Sequence, residues 1–298
     1  MRRVEAGGVR VSSIGLGTWQ FGSREWGYGS EYAATEARAI LRRGLELGID
    51  LIDTAEFYGF GRSERIVGDV IRGRRKDVFI ATKLFPIGLP FMTASRARGS
   101  ARRLGVEQID LYQLHWPSPL FPAGATMPRM RRLVEAGLVR HVGVSNHSLA
   151  GWQEADRALQ GPVLSNQVLF NLAHRNPERD LLPWAQANGR ILIAYSPLGQ
   201  GALSGKYQDA PPKNFRRTRG NFSAAGRARS RPLIDALREI GVGHGATAAQ
   251  IALAWLIRKP NVVAIPGASS VRQLEENAAA GDIELSDEES ALLDSLSA

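Results

Sequence analysis

The sequence has no cysteine among its 298 residues, which excludes disulfide bonds, thiolate zinc sites and a cysteine nucleophile. It also lacks any apolar stretch near the roughly 20 residues that a membrane-spanning helix needs. Its first residues have no apolar segment of the kind found in a secretory signal. We therefore expect a cytoplasmic protein that does not insert into a membrane.

Histidine and lysine are scarce. The five histidines do not occur at the H-x-x-x-H spacing of a metal-binding helix, so we predict no metal site. They are His115, His141, His147, His174 and His244. Only five of the 38 basic residues are lysines, so arginine supplies most of the net charge of +9. This basic balance raises the question of a nucleic acid, a membrane surface or an anionic ligand.

Eight short apolar runs recur along the chain, with helical segments between them. The first seven begin 24 to 35 residues apart, the length of a strand, a helix and two turns. They begin near Ile14, Ile49, Val78, Ile109, Val139, Val163 and Ile191, and the eighth begins near Val262. The last gap of 71 residues indicates an insertion after strand 7. Eight strands with eight connections predict an α/β fold, a (β/α)8 TIM barrel.

An open doubly wound sheet is the alternative, but its G-x-G-x-x-G motif after an early strand is missing. The segment from Val4 to Val11, with Gly7-Gly8 at its centre, predicts an N-terminal β-hairpin that plugs the bottom of the barrel. We expect one domain over residues 1–298. Helix starts are predicted at Thr35 and at Thr126, which is followed by Pro128, and residues 246–256 predict another helix.

Polar residues follow the predicted strands at their C-terminal ends, where TIM barrels carry their chemistry. Asp53 ends the second strand, Lys83 the third and His115 the fourth, while Tyr58 lies five residues beyond Asp53. A buried lysine needs a carboxylate partner, and Asp53 is the natural one. We expect Lys83 to lower the pKa of Tyr58 and His115 to hydrogen-bond the same oxygen. The set predicts a tuned proton donor, although Lys83 alone would also suit a Schiff-base lyase.

Seven motifs, in this order, resemble those of the aldo-keto reductase family over essentially the whole chain. They are residues 14–19, residues 52–55 with Tyr58-Gly59 and Ser63-Glu64, residues 81–83, residues 109–117, residues 142–146, residues 195–198, and residues 265–267 with Glu276-Asn277. The resemblance implies a barrel that binds NADPH or NADP⁺ and reduces aldehydes or ketones to alcohols by hydride transfer. It gives Tyr58 the role of proton donor, tuned by Lys83 and Asp53, with His115 orienting the substrate.

The resemblance also implies where the cofactor binds. Ser145, Asn146 and Gln167 would hold the nicotinamide amide, and Tyr195 would stack on its ring. Thr18 and Trp19 would lie near the ribose and the substrate. The pyrophosphate loop would comprise Ser196, Leu198, Gly199 and Gly201, with Lys206 as a phosphate contact. The adenosine end would be surrounded by Ser269, Arg272, Gln273, Glu276 and Asn277, with the amides that begin this helix near the 2′-phosphate.

Two departures bear on the choice of cofactor. Many family members have lysine where Gly267 stands and arginine where Gln273 stands, so NADH is possible beside NADPH, with Arg272 as the substitute cation. Aromatic residues predict a pocket for an apolar or aromatic carbonyl compound. They are Trp19, Tyr28, Phe57, Phe85 and Trp116. A second interpretation is a non-catalytic or weakly catalytic NADPH-sensing subunit on the same barrel.

The long insertion accounts for most of the net charge. Residues 213–231 contain seven basic residues and no acidic residue, which leaves +2 for the rest of the chain. Together with Pro211-Pro212, Gly220, Asn221 and Gly226, they predict a flexible loop at about residues 208–231, without a helix or strand. A charge confined to one loop argues against a nucleic-acid partner and favours an anion beside it. We expect this loop to fold over the dinucleotide.

Overall fold

A computed structural model describes residues 1–22, 31–86, 90–118 and 120–297. Its main sheet has eight parallel strands in chain order. They are β3 (Leu16–Gly17), β4 (Leu51–Asp53), β5 (Phe79–Leu84), β6 (Ile109–Leu114), β7 (Val139–Ser145), β8 (Val163–Leu169), β9 (Ile191–Tyr195) and β10 (Val262–Ile265). A parallel bridge between Ile14 and Ala264 joins the first and last strands. The predicted (β/α)8 barrel is therefore confirmed, with each of the eight apolar runs supplying one strand.

The N-terminal hairpin is present as predicted. Strands β1 (Arg3–Ala6) and β2 (Val9–Ser12) pair antiparallel, and Gly7 and Gly8 turn the chain between them at φ of 58° and 75°. Glycine is favoured at both positions because side chains disfavour positive φ. The hairpin valines pack against inward-facing residues near the starts of the barrel strands, such as Leu51 and Leu164. The hairpin thus closes the end of the barrel opposite the strand C-termini.

The described residues form ten α-helices. They are α1 (Glu31–Glu46), α2 (Arg62–Ile71), α3 (Thr93–Leu104), α4 (Ala123–Glu135), α5 (Leu149–Leu159), α6 (Leu181–Ala187), α7 (Ala224–His244), α8 (Ala248–Ile257), α9 (Val271–Ala279) and α10 (Asp287–Leu296). Most surround the barrel, and their apolar faces share one large core with the outward-facing strand residues. Helix α8 begins with a capping box from Thr247 and Gln250, close to its predicted start.

Two predicted helix starts are wrong. Thr35 lies inside α1, and Thr126 lies inside α4, which Pro122 precedes in an extended conformation. Threonine favours the N-cap because its hydroxyl can bond a free amide, but that preference is local. Both threonines are placed within longer helices whose apolar faces pack on the barrel, and packing outweighs it.

The prediction that residues 213–231 contain no helix is also wrong. Two 3₁₀ helices, Phe215–Thr218 and Gly220–Phe222, lie in the segment, and α7 begins at Ala224. The Ser223 hydroxyl accepts a hydrogen bond from Gly226 N, which caps α7. The last basic residues of the segment therefore lie on a helix rather than in a loop.

Among the described residues, no single helix is long and apolar enough to cross a membrane. The consecutive helices α7 and α8 reach that length and composition only when taken together, and they meet at 90°.

Candidate active site

Four polar side chains meet at the C-terminal end of the barrel. Lys83 Nζ lies 2.5 Å from Asp53 Oδ1, 2.9 Å from Thr54 O and 3.3 Å from Tyr58 Oη. The neighbouring strands β4 and β5 bring Asp53 and Lys83 together, as expected from their positions at adjacent strand ends. The His115 ring lies edge-on to the Tyr58 ring, with centroids 5.8 Å apart and an angle of 77°. The structure thus brings together all four residues of the predicted proton-donating set.

A tight turn places Tyr58 over the barrel. Gly59, at φ 57°, approaches Gly22 so closely that a Cβ at position 59 would lie 2.5 Å from Gly22 O. Only glycine fits such a contact, and the turn returns the chain directly into α2. Ser63 in the first turn of α2 donates a backbone hydrogen bond to Tyr58 O at 3.3 Å. The turn and the helix together fix where the phenol points.

Lys83 is fully buried and remains charged. Burial lowers the pKa of Lys83, but the Asp53 carboxylate, the Tyr58 phenol and their hydrogen bonds together outweigh burial and raise it. The ammonium and carboxylate therefore form a buried ion pair next to the Tyr58 hydroxyl. Such a pair is stabilised only while both partners are present.

The pKa of Tyr58 differs from the expectation. Burial of the phenol raises its pKa above 10, while the Lys83 charge and hydrogen bond lower it and Asp53 raises it. Lys83 thus acts in the expected direction, but burial has the larger effect and the net shift is upward. The phenol keeps its proton at neutral pH, which is the form that a proton donor requires.

His115 is neutral at physiological pH. Burial and the nearby Lys83 charge lower the pKa of His115 to about 3. Its buried Nδ1 has no hydrogen-bond partner in the part of the chain that the structure describes. A neutral imidazole with an unpaired ring nitrogen beside a phenol can bind a polar ligand atom at that place.

Gln167 joins this set although it was assigned to the cofactor. Its Nε2 donates a 2.7 Å hydrogen bond to Asp53 Oδ2, and Gln113 Nε2 lies 3.4 Å from the same oxygen. Sequence reasoning missed Gln113. The available signal was a polar residue within the apolar strand β6, directly beside Lys83 in the pairing of β5 with β6.

A second cluster lies at the ends of β7 and β9. The Tyr195 hydroxyl donates to Asn146 Oδ1 at 2.9 Å, and Asn146 Nδ2 lies 2.9 Å from Ser145 Oγ. Asn146 adopts a left-handed conformation at φ 60°, and Ser148 rather than Asn146 caps α5. Burial and the neighbouring Tyr58 raise the pKa of Tyr195. The structure therefore gathers Ser145, Asn146 and Tyr195 into one hydrogen-bonded group close to the phenol.

Thr18 and Trp19 lie at the end of β3. The Thr18 hydroxyl donates to Asp53 O at 2.9 Å and lies 2.7 Å from Ser63 Oγ, so it ties β3 to β4 and α2. Trp19 is half-buried and begins a short 3₁₀ helix.

The chain after β9 makes a turn of several left-handed residues. They are Ser196, Gly199, Gln200 and Gly201. Arg216 from the insertion donates to Gln200 O at 2.7 Å and to the Tyr207 hydroxyl at 3.1 Å, so the basic segment lies against this turn. Leu198 is half-buried beside it, whereas Lys206 is exposed and lies over the Tyr207 ring.

The first turn of α9 is occupied by protein groups. Gln273 Oε1 accepts from Ser269 N and Oγ at 2.8 and 2.9 Å, and Arg272 pairs with Glu276 at 3.0 Å. The Glu36 carboxylate accepts from Val271 N at 3.2 Å. Glu36 belongs to α1, and nothing in the sequence pattern indicated its position here.

Gly267 lies under the side chain of Gln20. A Cβ at position 267 would be 1.7 Å from Gln20 Nε2, so the amide occupies the place of a side chain there. The carbonyl of Gly267 accepts from Asn277 Nδ2 at 3.3 Å. The Gln20 side chain thus fills the space that a lysine at position 267 would need.

An aromatic wall borders the phenol and the imidazole. Phe57 stacks on Phe85 with centroids 4.4 Å apart, and Phe85 meets His115 edge-on at 5.6 Å. Trp116 lies parallel to the His115 ring at 6.4 Å. Phe57 and Trp116 are 48% and 44% exposed, so apolar surface faces solvent at the barrel mouth. Tyr28, the remaining predicted pocket residue, lies outside the described residues.

The arrangement fits a nicotinamide dinucleotide in several respects. A hydrogen bond to Asn146 fixes the Tyr195 ring. The glycines of the left-handed turn after β9 allow a ligand to approach the backbone closely. His115 Nδ1 and Gln200 Oε1 are buried polar atoms with no hydrogen-bond partner among the described residues. No group of three or more potential metal ligands occurs in the described part of the chain.

Comparisons with known proteins agree with this geometry. A model of the Aldo/keto reductase family matches residues 13–298. An uncharacterized oxidoreductase of Mycobacterium tuberculosis (strain H37Rv) is 52% identical over 289 residues, which cover 96% of this chain and 90% of that protein. Methylglyoxal reductase of Escherichia coli is 38% identical over 97% of this chain and 92% of that protein. The crystal structure of an aldo/keto reductase from Klebsiella pneumoniae with NADP and acetate is 35% identical, with a TM-score of 0.81 over 99% of this chain and 94% of that one.

Proposed function

Because this chain belongs to the aldo/keto reductase family, we propose that it reduces aldehydes or ketones to alcohols with a nicotinamide dinucleotide, using Tyr58 as the proton donor. The observation that carries the proposal is the contact chain from Asp53 through Lys83 Nζ to Tyr58 Oη, with distances of 2.5 and 3.3 Å. The family match and the oxidoreductase relatives support carbonyl reduction in general.

Tyr58 donates its proton to the carbonyl oxygen as negative charge develops there. The Lys83 ammonium stabilises the resulting phenolate, and Asp53 holds the ammonium in place. Because the pair is buried, its charges act on the phenol with little screening by water. Neutral His115 donates a hydrogen bond from a ring nitrogen to the same carbonyl oxygen and orients it toward Tyr58.

The cofactor, when bound, supplies the hydride that reaches the carbonyl carbon. Tyr195 provides a flat surface for the nicotinamide ring, and its bond to Asn146 fixes that surface. Ser145 and Asn146 bind the carboxamide. Gln167 would hold the carboxamide through its Oε1, because its Nε2 donates to Asp53.

The left-handed turn after β9 would hold the pyrophosphate, with Arg216 and the basic segment covering it as a lid. At the adenosine end, Arg272 would bind the 2′-phosphate of NADPH. The NADP held by the Klebsiella protein supports this choice. The carboxylates of Glu36 and Glu276 disfavour a 2′-phosphate at this place, so we propose that NADH is also accepted.

The contacts of Arg216 with the turn after β9 also favour a single domain over residues 1–298.

The aromatic wall favours apolar or aromatic carbonyl compounds, because Phe57, Phe85 and Trp116 present rings to the space beside His115. The similarity to a methylglyoxal reductase makes small reactive aldehydes a reasonable second class.

The sequence left two alternatives open, a Schiff-base lyase and a cofactor-sensing subunit. A Schiff-base lyase needs a neutral lysine amine, whereas the pKa of Lys83 is raised by its ion pair with Asp53. A cofactor-sensing subunit would bind the dinucleotide without turnover, and an assay separates it from the enzyme.

The assay mixes purified protein with NADPH and 4-nitrobenzaldehyde or methylglyoxal and follows nicotinamide absorbance. Consumption by the wild type, with unchanged NADPH binding but lost turnover in Tyr58→Phe, supports the proposal. Cofactor binding without consumption of either aldehyde would instead support the sensing subunit.

A further inference from the structure

A cluster of five arginines lines an open cleft over the outer face of α2, between α1 and α3. The cleft has a volume of about 650 Å³. The arginines are Arg38, Arg62, Arg65, Arg102 and Arg103, and Asp69 is the acid in the same wall. We propose that this cleft binds a small polyanion that carries two or more phosphate or carboxylate groups.

The charges in the cleft are not balanced. Arg103 pairs with the fully buried Glu64 at 2.6 Å, and Arg38 pairs with Asp69 at 2.7 Å. The carboxylates of Glu64 and Asp69 are therefore already taken by Arg103 and Arg38. Arg65 and Arg102 are exposed and form no ion pair with any residue in the described ranges. Guanidinium groups that share a cleft repel one another, and a bound anion removes this repulsion.

The start of α2 adds positive charge to this cleft, and the carboxylate in its first turn, Glu64, is already paired with Arg103. Arg62 and Arg65 lie at the N-terminus of α2, whose cap residue Gly61 offers no side-chain cap. The N-terminal end of a helix carries partial positive charge, so cations there are destabilising and anions are stabilising. An anion between these two arginines and Arg102 would be favoured by both the side chains and the helix.

The residue types indicate the chemistry of the ligand. All five cations are arginines, whose planar groups bind phosphate and carboxylate through paired hydrogen bonds. Arg62, Arg65 and Asp69 lie on one face of α2, because they are three and four residues apart. The walls formed by α1 and α3 make a local cleft rather than an extended basic stripe. A compact ligand therefore fits better than a nucleic acid.

This cleft corrects the view that the positive charge lies only in the insertion. Its residues come from three helices that are far apart in sequence, so no local run of charge revealed them. None of them belongs to the residues assigned to the dinucleotide, which makes the two anion sites separable by experiment.

The test is calorimetric titration with inorganic pyrophosphate at low salt, with and without saturating NADP⁺. We expect binding that persists with NADP⁺ present and weakens as ionic strength rises. The double variant Arg65→Gln/Arg102→Gln should raise the Kd at least about tenfold. The control Arg42→Gln/Arg98→Gln removes the same charge from exposed positions on α1 and α3 outside the cleft, and should change the Kd less than about twofold.

Three outcomes would overturn the proposal. The first is no binding of pyrophosphate to the wild type. The second is loss of all binding when NADP⁺ is added, which would assign the anion to the dinucleotide site. The third is an equal effect of the two double variants, which would show only the general charge of the protein. The comparison of variants is decisive even if NADP⁺ does not bind, and matching thermal unfolding curves show that both variants fold.

Discussion

Gln167 donates a 2.7 Å hydrogen bond to Oδ2 of Asp53, the carboxylate oxygen opposite the one that Lys83 contacts. The Gln167 amide therefore connects the residues predicted to bind the nicotinamide with the predicted proton-donating set of Asp53, Lys83 and Tyr58. The carboxylate is held on both sides, by a cation and by an amide, in a fully enclosed position. Changes at Gln167 should be felt at both ends of the site.

The first prediction concerns this amide. Among the described residues, Gln167→Leu leaves Asp53 Oδ2 with only the 3.4 Å contact from Gln113, so we expect a loss of about 1–3 kcal/mol of stability. NADPH affinity should fall in the same variant. Urea unfolding and fluorescence titration measure the two effects. A variant that loses affinity but no stability would mean that the bond to Asp53 contributes nothing.

The second prediction concerns the phenol. Tyr58→Phe should lower kcat by at least about a hundredfold, because it removes the proposed proton donor, while the Kd for NADPH stays within about twofold. Tyr112→Phe is the matched control. Tyr112 is buried in β6, and its hydroxyl has no hydrogen-bond partner among the described residues, so that variant should keep both activity and stability. Equal losses in the two variants would remove the special role of Tyr58.

The third prediction concerns the buried ion pair. Lys83→Met leaves the Asp53 carboxylate without its cation, and we expect about 3–5 kcal/mol less stability as well as lost turnover. The double variant Asp53→Leu/Lys83→Met removes both charges and should recover part of the stability but none of the activity. Urea unfolding compares the three proteins. The idea fails if the double variant is less stable than Lys83→Met.

The fourth prediction concerns pH. In the proposed reduction, protonated Tyr58 is the reactive form. Because burial raises the pKa of Tyr58 above 10, the chemical step should be independent of pH through the neutral range. His115 has a pKa of about 3 and stays neutral there, so we expect no break in kcat/KM near pH 6.5. A pH–rate profile measured between pH 5 and 10 checks this. A break near 6.5 that disappears in His115→Gln would contradict it.

The depressed pKa of His115 also affects folding. The unfolded chain binds a proton at this histidine near pH 6.5, whereas the folded chain binds it only at about 3. The unfolded state therefore gains protons first as the pH falls. Stability from this group is present above about pH 6.5 and is lost progressively toward pH 3, and His115→Gln should flatten that part of the curve.

The fifth prediction concerns the choice of cofactor. Arg272→Ala should raise the Kd for NADPH about three- to tenfold and leave the Kd for NADH unchanged, because only NADPH carries the 2′-phosphate. Glu36→Gln removes a negative charge at the first turn of α9 and should lower the Kd for NADPH. Fluorescence titrations with both dinucleotides give the ratios. An equal effect on NADH would place Arg272 away from the phosphate.

The sequence predicts the strands well because the barrel buries them on both faces. Residues 191–194, for example, are apolar at every position, and β9 ends at the next residue, Tyr195. The meeting of Asp53 with Lys83 follows from adjacent strands alone. Tyr58 depends on the close approach of Gly59 to Gly22, a tertiary contact that no local pattern encodes.

Helix starts and distant partners were harder to predict. Thr35 and Thr126 have the residue type of a cap but lie within helices fixed by packing on the barrel. Glu36 and the arginine cleft are assembled from residues far apart in the chain, so charge counting along the sequence placed the positive charge in one loop. The start of α7 at Ala224 was not predicted, because the arginines and glycines around it are typical of a loop.

The hairpin β1–β2 covers one end of the barrel. Its valines pack against the buried, inward-facing residues of the barrel, so ligands have access at the opposite end, where the strands terminate. In the proposed reaction, a carbonyl compound approaches Tyr58 from the side of the strand C-termini, and the alcohol departs in the same direction. Arrival and departure through one opening cannot occur together, which couples each new substrate to the exit of the previous product.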